Sequence, residues 1–172
     1  MKILFTIFFL FTSSLLGLSH TIEITEEMLQ QKINQQFPYK KESFLFITVV
    51  SNPHLKLKNE RNRVNITFDV GVESAQTLVL KGNVTVSGTL LYKKEEKSFY
   101  FQDVEIVKLD LNNIPKEFHT PIKQTLEKLT SQYLQSILIY KIDDSIPELQ
   151  MASVLLKEIK IANSKMYLIL EY

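Results

Sequence analysis

Apolar residues in this chain follow two periods, and the change of period divides it into elements. Ile22 and Ile24 alternate with polar neighbours, as in a short strand. Thr25 is then placed to cap a helix whose first turn carries Glu26 and Glu27, where carboxylates favour the positive helix end. Leu29, Ile33 and Phe37 recur every fourth residue, so residues 26–36 read as an amphipathic helix that Pro38 terminates. A long β region follows. Residues 43–50 are apolar on both faces, Ser51-Asn52-Pro53 signals a turn, and Leu55 and Leu57 alternate with Lys56 and Lys58. After the polar turn 59–62, Val64, Ile66, Phe68, Val70 and Val72 share one face of a strand whose other face carries Asn65, Thr67 and Asp69. Leu78, Leu80, Val84, Val86 and Leu90 repeat the device over a longer strand, interrupted by Gly82 and Gly88, where such a strand can bend. Lys93 to Lys97 form a charged hairpin tip. In the returning strand the apolar parity passes from Phe99 and Phe101 to Val104 and Ile106, then to Val107, Leu109 and Leu111, which predicts bulges.

Beyond Asn112-Asn113 the period becomes helical. Ile122, Leu126, Leu129, Tyr133, Ile137 and Tyr140 are spaced by four, three, four, four and three. The spacing predicts one long helix from Pro121 to Ile139 with a single apolar stripe. Ser145 caps a short helix expected over 147–157. Ile159 and Ile161, the turn 162–165 and the segment Tyr167 to Leu170 close the chain as a hairpin. Short turns between neighbouring strands imply an antiparallel sheet. The expected fold is α+β: a long coiled antiparallel sheet wrapped around one long C-terminal amphipathic helix, with a short N-terminal helix.

The first 19 residues stand apart. Lys2, an apolar run from Ile3 to Phe11 and the small-x-small ending Gly17-Leu18-Ser19 make a secretory signal peptide with cleavage expected near Ser19-His20. The run is too short and too quickly diluted by Ser and Gly for a comfortable membrane span. The competing reading is an uncleaved anchor. Residues 20–172 then form one domain, exported to a compartment poor in ATP and NAD(P)H. Lys2 is the leader's only charge, so the remainder balances 19 basic against 19 acidic residues, and nucleic acid is not an expected partner. Without Cys there is no disulfide, no thiol chemistry and no site for lipid anchoring at a lipobox. The expected location is therefore the periplasm, without a lipid anchor and without a transmembrane span once the leader is removed.

Several local strings resemble the YceB-like family of uncharacterised bacterial envelope lipoproteins. They are Ile24-Thr25-Glu26-Glu27, Phe37-Pro38, the strand Phe99-x-Phe101-x-Asp103-Val104-Glu105, the long helix reaching Tyr140, and the closing Ile159-x-Ile161 and Leu168-x-Leu170 hairpin. Their collinear order over nearly the whole exported chain carries the resemblance; no single motif is specific. The resemblance implies half of a tubular lipid-binding (TULIP-like) module, in which a cleft between sheet and helix takes acyl chains. The chain departs from typical members in lacking the lipobox Cys.

Catalytic and metal chemistry have little to stand on. His20, His54 and His119 lie apart, Asp143-Asp144 reads as a helix boundary, and neither Gly-x-Ser-x-Gly, Ser-x-x-Lys nor a phosphate-binding glycine loop is present. Asn65-Ile66-Thr67 and Asn83-Val84-Thr85 are formal glycosylation sequons explained by strand alternation. No enzyme activity, cofactor or metal is expected. What remains is the apolar face. Leu80, Val84, Val86, Phe99, Phe101, Ile122, Leu126, Leu129 and Tyr133 are the candidate lining of a cleft for a lipid or fatty-acyl ligand, because a coiled sheet part-filled by one helix accepts an apolar guest. The plainer reading is that these side chains pack on one another. The alternative function is a structural or adaptor domain that binds an envelope protein through a sheet edge or helix face.

Overall fold

The computed structural model describes residues 19–42, 46–59, 62–74, 77–143, 145, 149–150 and 154–171. The leader reading therefore lies almost wholly outside the described residues. The elements whose bounds are described are β1 (Ser19–Thr25), α1 (Glu26–Asn34), β2 (Tyr39–Glu42), β3 (Ile47–Lys58), β4 (Arg63–Ser74), β5 (Thr77–Lys93), β6 (Ser98–Asp110), α2 (His119–Lys128), β7 (Leu138–Lys141), β8 (Leu156–Ala162) and β9 (Lys165–Glu171). The class is α+β, as the pattern predicts. β2 to β7 pair in sequence order into one antiparallel, curled half-barrel sheet, while β1, β9 and β8 form a second, three-stranded sheet.

The alternation in β4 sets the inside of the half-barrel. Val64, Ile66, Phe68, Val70 and Val72 are all buried, and across the ladder they meet Leu57, Leu55 and Val50 of β3 and Val84 and Val86 of β5. The outer face is polar, with the Thr67 and Thr85 hydroxyls 3.0 Å apart. Curling requires shortened pleats, and the register slips where the sequence predicts them: between Thr85 and Val86 and between Ser87 and Thr89 against β6. Gly88 permits this bend. A Cβ there would stand 2.6 Å from the Gln102 carbonyl oxygen and 2.6 Å from the Phe101 ring.

One sequence expectation is corrected, a second is shifted, and a third falls largely outside the described residues. Ser51-Asn52-Pro53 does not turn the chain. It is a bulge inside β3, with Asn52 at φ 49° and the register shifting between Ser51 and His54. Turn residues serve equally in a bulge, since both need a left-handed or unpaired residue. The long helix is present over 21 residues, with bounds shifted from those expected and a change of helical type within it. A helical run covers 116–136, as a 3₁₀ turn, α2, a π turn (Leu129–Tyr133) and a second 3₁₀ turn (Leu134–Ser136). Ile137 to Tyr140 leave it, and β7 pairs with β6. The apolar string Ile137-Leu138-Ile139-Tyr140 fits both periods, and the open edge of β6 captures it. The helix expected over 147–157 falls largely outside the described residues; residues 149–150 and 154–155 are helical, and Leu156 already belongs to β8.

α1 occupies the gap that the curl leaves between β3 and β7. Thr25 caps it, its hydroxyl accepting from the Met28 amide at 3.3 Å. Leu29 and Ile33 are fully buried beneath it. Beyond Pro53, β3 has no strand on its outer side among the described residues, and α1 side chains replace one. Gln30 Oε1 accepts from the Leu55 amide and Gln30 Nε2 donates to the Pro53 carbonyl, both at 2.7 Å; Glu26 accepts from the Leu57 amide at 2.7 Å. On the other side Gln36 Nε2 donates to the Leu138 carbonyl of β7 at 2.7 Å. A free strand edge is thereby satisfied without a further strand.

Candidate functional site

The second covering element is the helical run 116–136, and it is held differently. Its inward residues Ile122, Leu126 and Leu129 are at most 1 % exposed and join one continuous core with Val84, Val86, Phe99 and Phe101, each equally buried. Seven of the nine candidate lining residues are thus brought together. Tyr133 sits half-buried at the margin. Its ring lies 5.1 Å from that of Tyr39 and 6.3 Å from that of Phe37, and its hydroxyl donates to the Gln36 carbonyl at 3.2 Å. Leu80 stands opposite Val72 in the β4–β5 ladder, and its side chain lies outside the described part. In this conformation these side chains pack on one another as core, closed to solvent.

Aromatic contacts fix how the run lies. Phe118, at its start, packs edge-on against Phe46 with ring centroids 5.3 Å apart. Near its other end Tyr133 packs on Tyr39. The run therefore crosses the mouth of the half-barrel beside β2 and the first residues of β3. Among the described residues, the side-chain hydrogen bonds of α2 and the π turn stay local, apart from that of Tyr133. Thr125 donates to the Pro121 carbonyl at 3.0 Å, Thr130 to those of Leu126 and Glu127 at 2.9 and 3.0 Å, and Ser131 to that of Glu127 at 2.7 Å. Hydroxyls that bond back onto the preceding turn bend a helix, and a π turn marks a break in its ladder. Apolar and aromatic packing holds this element to the sheet, whereas α1 is fastened by directed hydrogen bonds to β3 and β7.

The seam between β2 and α2 is open. A cleft of about 190 Å³ is lined by Lys41, Glu42, Pro121, Gln124, Thr125 and Lys128. Beside it, in the ladder, Thr48 pairs with Lys41. Thr48 is 0 % exposed, and its hydroxyl has no hydrogen-bond partner among the described residues. Thr48 was legible only as a polar residue inside the apolar run 43–50, and Lys41 and Lys128 carried no sequence signal, since surface lysines are everywhere. A second groove, between α1, β3 and the β8–β9 turn, holds about 600 Å³. Three of its charged residues are already engaged, Glu26 with Lys56 at 3.2 Å and Lys165 with Glu23 at 2.5 Å, and Glu27 also lines it. Gln30 is committed to β3, so this groove reads as a solvated junction.

The histidines are dispersed. His119 Nε2 donates to the Ile114 carbonyl at 2.7 Å, and His20 and His54 are exposed. Among the described residues, no three His, Asp or Glu side chains converge as a metal site would require, and no helix is long and apolar enough to cross a membrane.

The order of elements just described is matched by one family model over residues 24–165. The chain belongs to the DUF1439 family, described as proteins of unknown function. No curated protein matches the chain. The matched span runs from the end of β1 to the first residue of β9. It takes in the whole half-barrel sheet, α1, the helical run across the mouth and the seam beside β2.

Proposed function

We propose that this protein is an exported, non-catalytic protein of the cell envelope, located in the periplasm, that holds a lipid or other apolar ligand between the curled sheet and the helical run 116–136. The leader pattern of residues 1–19 supports export, and the YceB-like, TULIP-like resemblance supports a lipid. The observation that carries the reading is the contrast between the two covering elements. α1 is bonded to both flanking strands. Among the described residues the run 116–136 rests on apolar contacts apart from the Tyr133 hydroxyl on the Gln36 carbonyl, and a π turn interrupts it, so it can lift while the Phe101 amide of β6 keeps the Ile137 carbonyl just beyond it.

The magnitudes are compatible. Lifting α2 and the π turn exposes Ile122, Leu126 and Leu129, at roughly 1.5–3 kcal/mol each, or about 5–9 kcal/mol in total. An acyl chain entering the same space contributes about 0.8 kcal/mol per buried methylene. Roughly 6–11 methylenes offset the opening. Fatty acids of graded length, competed against a fluorescent fatty acid, test this. Affinity should be absent for the shortest chains and climb with length beyond about eight carbons. Leu126→Trp should remove uptake and leave the melting curve nearly normal; a loss of about 1–3 kcal/mol in stability would instead mark Leu126 as close-packed core and favour the adaptor reading. No uptake at any length, together with bare protein in native mass spectrometry of material purified from its own envelope, would sink the proposal. The adaptor reading is favoured by the outer edge of β1, which among the described residues has no strand beyond it; the outer edge of β8 is partly taken by Asn62, which bonds the Ile161 amide and the Ile159 carbonyl. A single stoichiometric protein recovered from cross-linked envelopes, with no lipid uptake, would select it.

A further inference from the structure

We propose that the ligand is a single-chain amphiphile with an anionic head, its chain under α2 and its head in the seam between β2 and α2. This rests on the ligand reading above and adds to it the chemistry of the head.

Three observations converge on the seam. The first is charge. Lys41 and Lys128 line it, and neither has a carboxylate partner among the described residues. Neighbouring lysines are paired: Lys40 with Glu73 at 2.8 Å and Lys56 with Glu26 at 3.2 Å. Glu42 also lines the cleft, so two ammonium groups face one carboxylate there, and Lys41 and Glu42 alternate across the strand. The second is the Thr48 hydroxyl, which lies beside the cleft as the ladder neighbour of Lys41 and is not among the residues that line it. Thr48 pairs with Lys41 on one side and Val72 on the other, on the face that carries Val50 and Val70. A wholly buried hydroxyl without a partner is exceptional in a native fold and points to a group that completes it. A carboxylate or phosphate oxygen accepts from a hydroxyl and from two ammonium groups alike. The third is size and position. About 190 Å³ is the liquid volume of some six waters, enough for one anionic head and its hydration. The cleft opens between Lys41 and Thr125, and Thr125 belongs to the same helical face as Ile122, Leu126 and Leu129, so a chain attached to a head there passes directly beneath α2. Tyr39 on Tyr133 and Phe46 on Phe118 bound the seam along β2 and β3 with aromatic rings.

The test uses the full exported chain and four probes with the same twelve-carbon tail: dodecanoate, dodecyl phosphate, dodecanol and dodecyltrimethylammonium, below their micelle concentrations. The two anions should bind at least tenfold more tightly than the cation, with an advantage over dodecanol that shrinks as salt rises. Lys41→Glu combined with Lys128→Glu should erase that advantage and leave dodecanol binding unchanged. Both positions are exposed, so the variant keeps the fold, which circular dichroism checks. Thr48→Val should weaken both anions severalfold and spare dodecanol. Preference for dodecanoate over dodecyl phosphate assigns a free fatty acid; the reverse assigns a phosphate-headed lysolipid. Equal affinity for anions and dodecanol, or an anion preference that survives charge reversal, overturns the assignment of the head while the apolar site stands. Failure of all four probes overturns the ligand reading itself.

Discussion

Replacing Thr48 with Val should make the unliganded protein more stable. The side chain is fully buried on the inner face of β3, between Lys41 and Val72 in the ladders, and its hydroxyl meets no acceptor among the described residues. A buried hydroxyl deprived of its hydrogen bond to water costs about 1–3 kcal/mol. Valine has nearly the same shape, keeps the β-branched preference for a strand and adds a methyl to an apolar neighbourhood. The expected gain is therefore about 1–3 kcal/mol. For a domain of this length, that corresponds to a melting temperature raised by roughly 3–9 °C. Urea titration of the purified protein measures it. The midpoint should rise with an unchanged slope, since the surface exposed on unfolding is the same. Thr48→Ser, which keeps the hydroxyl and removes the methyl, should move the midpoint the other way. A Thr48→Val variant no more stable than the parent would refute the reasoning, because the hydroxyl would then have a partner in solution and no vacancy for a ligand oxygen. Gain of stability coupled to loss of anion affinity is the signature expected of a residue kept for binding.

Other outcomes follow from the same geometry. Gly88→Ala should destabilise the fold by about 3 kcal/mol in urea, because the added methyl meets the Gln102 carbonyl and the Phe101 ring at 2.6 Å and neither strand can retreat freely; an effect under about 0.5 kcal/mol would show that the bend is not locked. Gln30→Leu should cost about 1–3 kcal/mol by orphaning the Leu55 amide and the Pro53 carbonyl, and Gln30→Glu, which retains the acceptor, should recover part of it; equal loss in both variants would count against the edge-satisfying role. Burial, with Asp143 adding to it, holds the Tyr140 phenol above its ordinary value near 10. The folded state thus favours the neutral phenol. That contribution is complete below the ordinary value and is lost as pH climbs through the raised one, so stability should fall above about pH 10. Tyr140→Phe should flatten this decline in urea titrations between pH 8 and 11.5; an unchanged slope would assign it to other groups.

Much of the sheet was legible because its signals are local. A strand with one wet face announces itself by period, as residues 64–72 and 84–90 do, and the parity shifts after Phe101 required bulges that the β5–β6 ladder contains. Thr25, Glu26 and Glu27 start α1 by capping chemistry that needs no partner. The β8–β9 hairpin turns at Asn163 and Ser164, both with positive φ, at the residues whose type suggested it. Candidate lining residues followed from the same periods, and Val84, Val86, Phe99, Phe101, Ile122, Leu126 and Leu129 do share one core. Period alone could not separate a close-packed core from a cleft, nor find Thr48, Lys41 and Lys128. Their meaning depends on which strands lie beside them.

By itself, then, the order of apolar and polar residues determined the class of fold, the faces of its long strands and the start of α1, because each depends on neighbours within a few residues. Tertiary structure decided where the long helix stops, since Ile137 to Tyr140 satisfy either period and only the unpaired edge of β6 breaks the tie. It also decided that β1 joins β9 across the length of the chain, and that Gln30 and Gln36 stand in for missing strands. The buried hydroxyl of Thr48 belongs to the same group. Each of these is a hydrogen-bonding demand that appears only when the chain has curled and left an edge or a donor unmatched, and no local period records which distant residue will meet it.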